Sequence, residues 1–418
     1  MLRSAPHPSR SSLLLVALLG LATVWIAYSI SGLRAPWAPI VVSDGNSGGA
    51  LRKLLFGAAG VVAVACLLER RLLGPVLAAQ RRLLGLAFLV LGSCLYSVSP
   101  GLTLKRGFVL VFAVLALCTL VHTARDPVRR MQSAIVGGTA CAAWISLAAK
   151  LALPAACSSI AERPGLAGVT SHPNTCGVVM ATGLVLSWGV SARSVRERRA
   201  LRFAQLGLVI ALVLAGSVTS LAFAALGTLG FALLCWPSYR RGILLLVSAL
   251  GCATVLAIFL GLGTDGALAL VGRDASLSGR DTLWSALVSA GLERPLFGSG
   301  FGAFWREGRG RELVATWNPR QAHNAYLDLF VDLGAIGALC VLGCVARILL
   351  EGWQRWGRGL DRRWASSVVA TSLALFLVYG FGESFLLKPD KLVFFALLWF
   401  LALLERRPLT PTSSRVPS

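Results

Sequence analysis

Histidine is scarce in this chain, with four in all, and one stands where it could do chemistry. His323 and Asn324 open an apolar stretch directly after a long polar segment. An imidazole titrates near neutrality and can take a proton from an attacking hydroxyl. An interfacial histidine satisfied by water is the plainer reading. The polar segment before it, within 264–320, holds seven arginines. Planar guanidinium groups bind phosphate oxygens through paired, charge-assisted hydrogen bonds. Asp281, Glu293, Glu307 and Glu312 could act as acid and base, but their spacing selects no pair. No carboxylates cluster as they would for a divalent cation, and the ten cysteines show no CxxC spacing. The chemistry expected is therefore independent of metal, with no cofactor.

What must position these residues is a membrane. Hydrophobic residues make up 56% of the chain and charged residues 14%, with mean hydropathy +0.74. Soluble domains carry roughly 25% charge, so the fold class is all-α, a polytopic transmembrane helix bundle. Apolar runs long enough to span fall near 13–32, 54–68, 83–99, 107–122, 133–153, 175–192, 203–217, 219–236, 243–263, 322–349, 365–382 and 391–404, about twelve in all. The run at 203–236 is too long for one helix and breaks at Gly216-Ser217-Val218-Thr219-Ser220. The chain divides into transmembrane helices 1–9 over 1–263, a large loop with short helices over 264–321, helices 10–12 over 322–405, and a tail over 406–418. The first span follows Arg3 and Arg10 without a small-residue cleavage site, as a retained signal anchor would.

The net charge of +22 would suggest nucleic acid in a soluble protein, but no nucleic-acid motif accompanies it. Here the arginines cluster between spans. Alternate loops are rich in them: Arg70, Arg71, Arg81 and Arg82; Arg125, Arg129 and Arg130; Arg193 through Arg202; Arg240 and Arg241; Arg355 through Arg363. The positive-inside rule puts both termini in the cytoplasm and the 264–320 loop outside. The seven arginines of that loop oppose the bias, and a phosphate-bearing substrate is one explanation. Anionic membrane lipids are partners for the others. There is no Walker A sequence, so nucleotide-driven transport is disfavoured. Gly298, Gly300 and Gly302 read as a tight turn re-entering the membrane surface. Gly334 and Gly337, about 16 Å deeper along the helix from His323, read as small residues for close helix packing.

The order His323-Asn324, nine residues, then Gly334-Ala335-Ile336-Gly337, after a long outer loop, resembles the O-antigen ligase and polysaccharide polymerase superfamily. Gly279-Arg280 with Trp284, and Arg294-Pro295-Leu296-Phe297-Gly298-Ser299-Gly300-Phe301-Gly302-Ala303-Phe304-Trp305, are similar to its exopolysaccharide-polymerase branch. Ser97 to Pro100 with Lys105-Arg106, His172-Pro173-Asn174 and Glu383-Ser384 are similar too. The likeness covers roughly 95–400. It departs at the middle outer turn, where Ser217-Val218-Thr219-Ser220 lacks the arginine many members carry.

The resemblance implies an inner-membrane enzyme, active on its periplasmic face, that moves an oligosaccharide from undecaprenyl diphosphate to an acceptor hydroxyl. His323 would be the general base and Arg280 the first phosphate contact, with Arg163 and Lys388 from other outer loops beside it. Asn174 and Asn324 are placed with the substrate-binding residues, although Asn174 could simply cap its helix. Trp284, Trp305 and Trp317 suit interfacial anchors. Stacking on a sugar is the sharper reading, and Trp284 is placed with the binding residues on it. The acceptor glycan is a growing exopolysaccharide or O-antigen chain. Lipid A-core, as for a ligase, or a protein hydroxyl are alternatives. A chain-length regulator or export protein would be a partner. From another class, a transporter or flippase of a lipid-linked glycan would leave His323 dispensable.

Overall fold

The computed structural model describes residues 10–31, 49–152, 165–170, 172–235, 280–306, 308–314, 318–356 and 362–406. The described residues form helices and connecting turns, with no strand among them. In chain order these are α1 Arg10–Ser31, α2 Gly49–Glu69, α3 Leu73–Ala79, α4 Arg81–Gly92, α5 Pro100–Thr123, α6 Pro127–Ala152, α7 Pro173–Ser187, α8 Val195–Ala215 and α9 Val218–Cys235. There follow α10 Arg280–Leu292, α11 Arg309–Leu313, α12 Ala325–Trp356, α13 Arg362–Ala374 and α14 Leu392–Glu405. A π-helical turn, Leu375–Tyr379, and a last turn, Gly380–Gly382, carry α13 onward to Glu383.

Among the described residues, seven helices are long and apolar enough to cross a membrane, or eight with the α3–α4 pair, bent by 88°, counted as one broken span. The chain is thus an all-α, multi-pass membrane bundle. The shorter α7 and α14, with 15 and 14 residues, and the arginine-started α8 fill the other expected positions. The expected span at 243–263 lies outside the described residues. The break expected at Gly216 is present. Gly216 ends α8 in the left-handed region at φ 62°, and α9 restarts at Val218, as a glycine cap allows.

The centre of the bundle is α14, buried on every face from Leu392 to Glu405; a helix apolar all round belongs in a core. Trp25 of α1 meets Phe395 of α14 and Phe56 of α2 edge-on, each at 4.7 Å, and donates Nε1–H to the Pro389 carbonyl at 2.8 Å. At the far end of α14, Glu405 accepts from the Arg82 and Leu83 amides, both at 3.1 Å. It thereby satisfies the open N-terminus of α4.

The arginine-rich turns meet one another at this end. Arg82 pairs with Glu351 at 2.6 Å and Arg129 with Glu197 at 3.0 Å, while Arg363 donates to the Trp188 carbonyl at 3.2 Å. Loops that the charge pattern assigns to one side of the membrane therefore do share one end of the bundle. The histidine and the glycine-rich loop lie at the other.

Candidate active site

Here the chain does something the helical pattern hides. α12 is broken at Gly334, at φ 65° and ψ −175°. The segment 294–304 is stitched into the break. Ser299 and Gly300 donate backbone N–H to the Val331 and Asp332 carbonyls at 3.0 and 2.8 Å, and Ala335 and Ile336 donate to Pro295 and Leu296 at 2.8 and 3.2 Å. Backbone groups that the break would orphan find partners in the loop. Gly298, Gly300 and Gly302 all take positive φ, so the tight turn expected from sequence is there. Gly334 is the hinge of that junction rather than a small residue for helix–helix contact. Arg106, from α5, donates to the Gly302 carbonyl and ties a third element to the loop.

The segment before α12 is anchored from below. Asp328, one turn into the helix, accepts from the Ala322 amide at 3.0 Å and from Trp305 Nε1 at 2.8 Å. Lys388 sits 3.0 Å from its other oxygen and also donates to Gln321 Oε1 at 3.2 Å. Trp284 donates Nε1–H to the Ala322 carbonyl at 2.9 Å. Asn324 caps α12, its side-chain oxygen accepting from the Tyr326 and Leu327 amides at 3.0 and 3.1 Å. The structure thus gives Lys388, Trp284 and Asn324 definite holding roles. If Lys388 chiefly neutralises Asp328, Lys388→Met should lower stability by about 3 kcal/mol, the low end for removing one partner of a buried ion pair, because the carboxylate loses its cation. Adding Asp328→Asn should recover most of that loss in a thermal-shift comparison.

Held this way, His323 is forced to φ 50°, a left-handed conformation uncommon for a side-chain-bearing residue. Its Nδ1 lies 3.3 Å from Glu383 Oε2. Gln321 Nε2, 3.4 Å from the same nitrogen, is a donor too, so the carboxylate is the group able to accept the Nδ1 proton. That tautomer puts the lone pair on Nε2. The other Glu383 oxygen faces Arg280 Nη2 and Asn174 Nδ2, each at 3.5 Å, and Arg280 Nη1 donates to the Gly382 carbonyl at 2.8 Å. Burial pushes the Glu383 carboxyl up, but the hydrogen bond and charge of His323, with Arg280 and Lys391, outweigh it and hold the carboxyl below its usual range. A lowered carboxyl contributes above the ordinary value of about 4.3 and loses that contribution as pH falls through the lowered value. Glu383 therefore keeps its negative charge at neutral pH.

His323, Arg280 and Asn174 are thus brought together, and the group that joins them is Glu383. Glu383 was visible in the sequence only as part of the Glu383-Ser384 likeness; an acid directly after a span, in a chain with 18 acidic against 40 basic residues, was the signal. Asn174 does not cap α7; the His172 side chain accepts from the Asn174 amide instead, at 3.1 Å, and Asn174 is left to reach Glu383. The middle outer turn lies against this residue, with Ser220 Oγ 3.5 Å from the Asn174 carbonyl. Arg163 and Trp317 lie outside the described residues.

Beside the cluster runs an open groove of about 700 Å³, lined by Trp284, Val288, Asn324, Tyr326, Leu327 and Phe381 and almost wholly apolar. Its lining starts one turn of α10 beyond Arg280. A cationic side chain and a base thus border a surface suited to hydrocarbon.

The family model described as O-Antigen ligase matches residues 203–342. The exopolysaccharide production protein ExoQ of Rhizobium meliloti (strain 1021) is 29% identical over 174 residues, which is 40% of this chain and 39% of that protein. The match thus spans about two fifths of the curated relative's length. Arg280, the stitched loop, His323 and the break at Gly334 all fall within 203–342, the part of the chain that is similar to the O-antigen ligase family.

Proposed function

We propose that this protein is a glycosyltransferase of the bacterial inner membrane that transfers an oligosaccharide from undecaprenyl diphosphate to an acceptor hydroxyl, polymerising exopolysaccharide repeat units. The observation that carries the reading is the single hydrogen-bonded cluster of His323, Glu383 and Arg280 beside an apolar groove. The arginine-rich end faces the cytoplasm and the cluster the periplasm.

The donor's hydrocarbon lies along the groove, with its diphosphate toward Arg280. An acceptor hydroxyl gives its proton to His323 Nε2, and its oxygen attacks the anomeric carbon. The bond from that carbon to the phosphate oxygen breaks, and undecaprenyl diphosphate leaves with the electron pair. Glu383 fixes the imidazole tautomer and stabilises the imidazolium as it forms, while Arg280 meets the charge growing on the leaving group. Energy comes from the activated donor, so no nucleotide is needed.

Arg280→Ala is expected to reduce transfer about 10²-fold, the effect of removing one donor to a developing anion. Arg280→Lys should recover only part, because an ammonium lacks the planar fork. The assay uses purified protein and lipid-linked oligosaccharide. Longer lipid-linked chains from wild type support polymerisation; product only on adding lipid A-core would make it a ligase, the reading favoured by the matching family's description. No transfer to either acceptor overturns both.

A further inference from the structure

At the end opposite His323, a cavity of about 770 Å³ opens between α6, α8, α13 and the end of α14. Five arginines border it, Arg125, Arg129, Arg193, Arg363 and Arg406, against two carboxylates, Asp126 and Glu197. Both carboxylates are already engaged. Asp126 accepts from the Arg129 amide at 3.2 Å, and Glu197 accepts from the Arg193 amide at 2.7 Å and Arg129 Nη2 at 3.0 Å. The N-terminal turns of three long helices, α6, α8 and α13, converge here, each with its positive dipole end toward the same space.

A second observation is independent of this charge. Gln132 lines the cavity and is 6% exposed, yet its Nε2 donor has no hydrogen-bond partner among the described residues. A buried amide donor without a partner keeps its full desolvation penalty, which an accepting ligand would offset. Val128, Val136, Leu201 and Trp364 give the same cavity an apolar wall.

We propose that this cavity is a binding site for a phosphate-bearing anion, held by the arginines and by Gln132 Nε2. Such a phosphate can come from an anionic phospholipid of the adjacent leaflet or from solution. The site is separate from the glycan-transfer cluster and does not depend on that assignment.

The test uses the purified full-length chain. Retention of phosphatidylglycerol and phosphatidylcholine is compared by native mass spectrometry, and melting temperature is followed with added inorganic pyrophosphate. The variants are Gln132→Leu, Arg125→Gln with Arg406→Gln, and, as a control at the same end outside the cavity, Arg71→Gln. Phosphatidylglycerol retained by wild type and the control, and weakened about tenfold in both cavity variants through loss of charge-assisted hydrogen bonds, supports a lipid-borne phosphate. Stabilisation by pyrophosphate that the cavity variants lose supports a soluble one. Retention and melting temperature that are the same in wild type and all variants overturn the site. Gln132→Leu keeps the side-chain volume and every arginine, so it reads out the site even if the double arginine variant fails to fold.

Discussion

His323→Ala should reduce glycan transfer by about 10²–10⁴-fold, the usual contribution of a positioned general base, with normal protein levels. The imidazole touches the rest of the site through Glu383 and Gln321 at 3.3 and 3.4 Å and fills no core position, so its removal should leave folding intact. Indeed, alanine relieves little else, since φ 50° is awkward for it as well. Glu383→Gln separates orientation from proton transfer. The amide keeps the shape but loses the charge that stabilises an imidazolium, so kcat should fall while KM moves little. The comparison is made with initial rates on lipid-linked oligosaccharide, at protein concentrations matched by size-exclusion chromatography. A His323→Ala protein that folds and still transfers at the wild-type rate would falsify the base assignment. Absence of transfer with any acceptor, from wild type as well, would instead favour the transporter reading, in which this histidine is dispensable.

Much of the scaffold could be read directly. Membrane helices announce themselves by apolar length alone, and the arginine clusters mark which turns share an end; Arg82, Arg129 and Arg363 do meet their partners at one end of the bundle. Gly216 and the glycine-rich loop were legible because positive φ selects glycine. The site was legible only in its local parts. Glu383 accepts from residues 209, 103 and 60 positions away, and nothing in a single sequence records such long-range meetings. Lys388 looked like an outer cation for substrate, yet Asp328, on a helix 60 residues earlier, takes its charge. Imidazole is not among the usual N-cap side chains, so His172 does not stand out from sequence as the cap of α7.

Gly334→Ala is expected to be severely damaging. A Cβ built there would lie 2.3 Å from both the carbon and the oxygen of the Leu296 carbonyl and 2.4 Å from the Phe297 nitrogen. These are backbone atoms of the inserted loop, and hydrogen bonds on either side of the break hold them. They cannot swing away as a flexible side chain would. The conformation itself, φ 65° with ψ −175°, is nearly reserved for glycine and costs other residues about 1–3 kcal/mol before any clash. The chain would have to expel the loop and close α12 into a regular helix, which carries His323 away from Glu383. Folded protein recovered from the membrane should therefore fall sharply, with no transfer from what remains. Gly343→Ala, further along the same helix, meets nothing within 4 Å and should be neutral or stabilising by up to about 1 kcal/mol. Thermal-shift curves for the two variants decide the matter. Equal melting temperatures would mean that the loop is not stitched into α12, and that the histidine is held by something else.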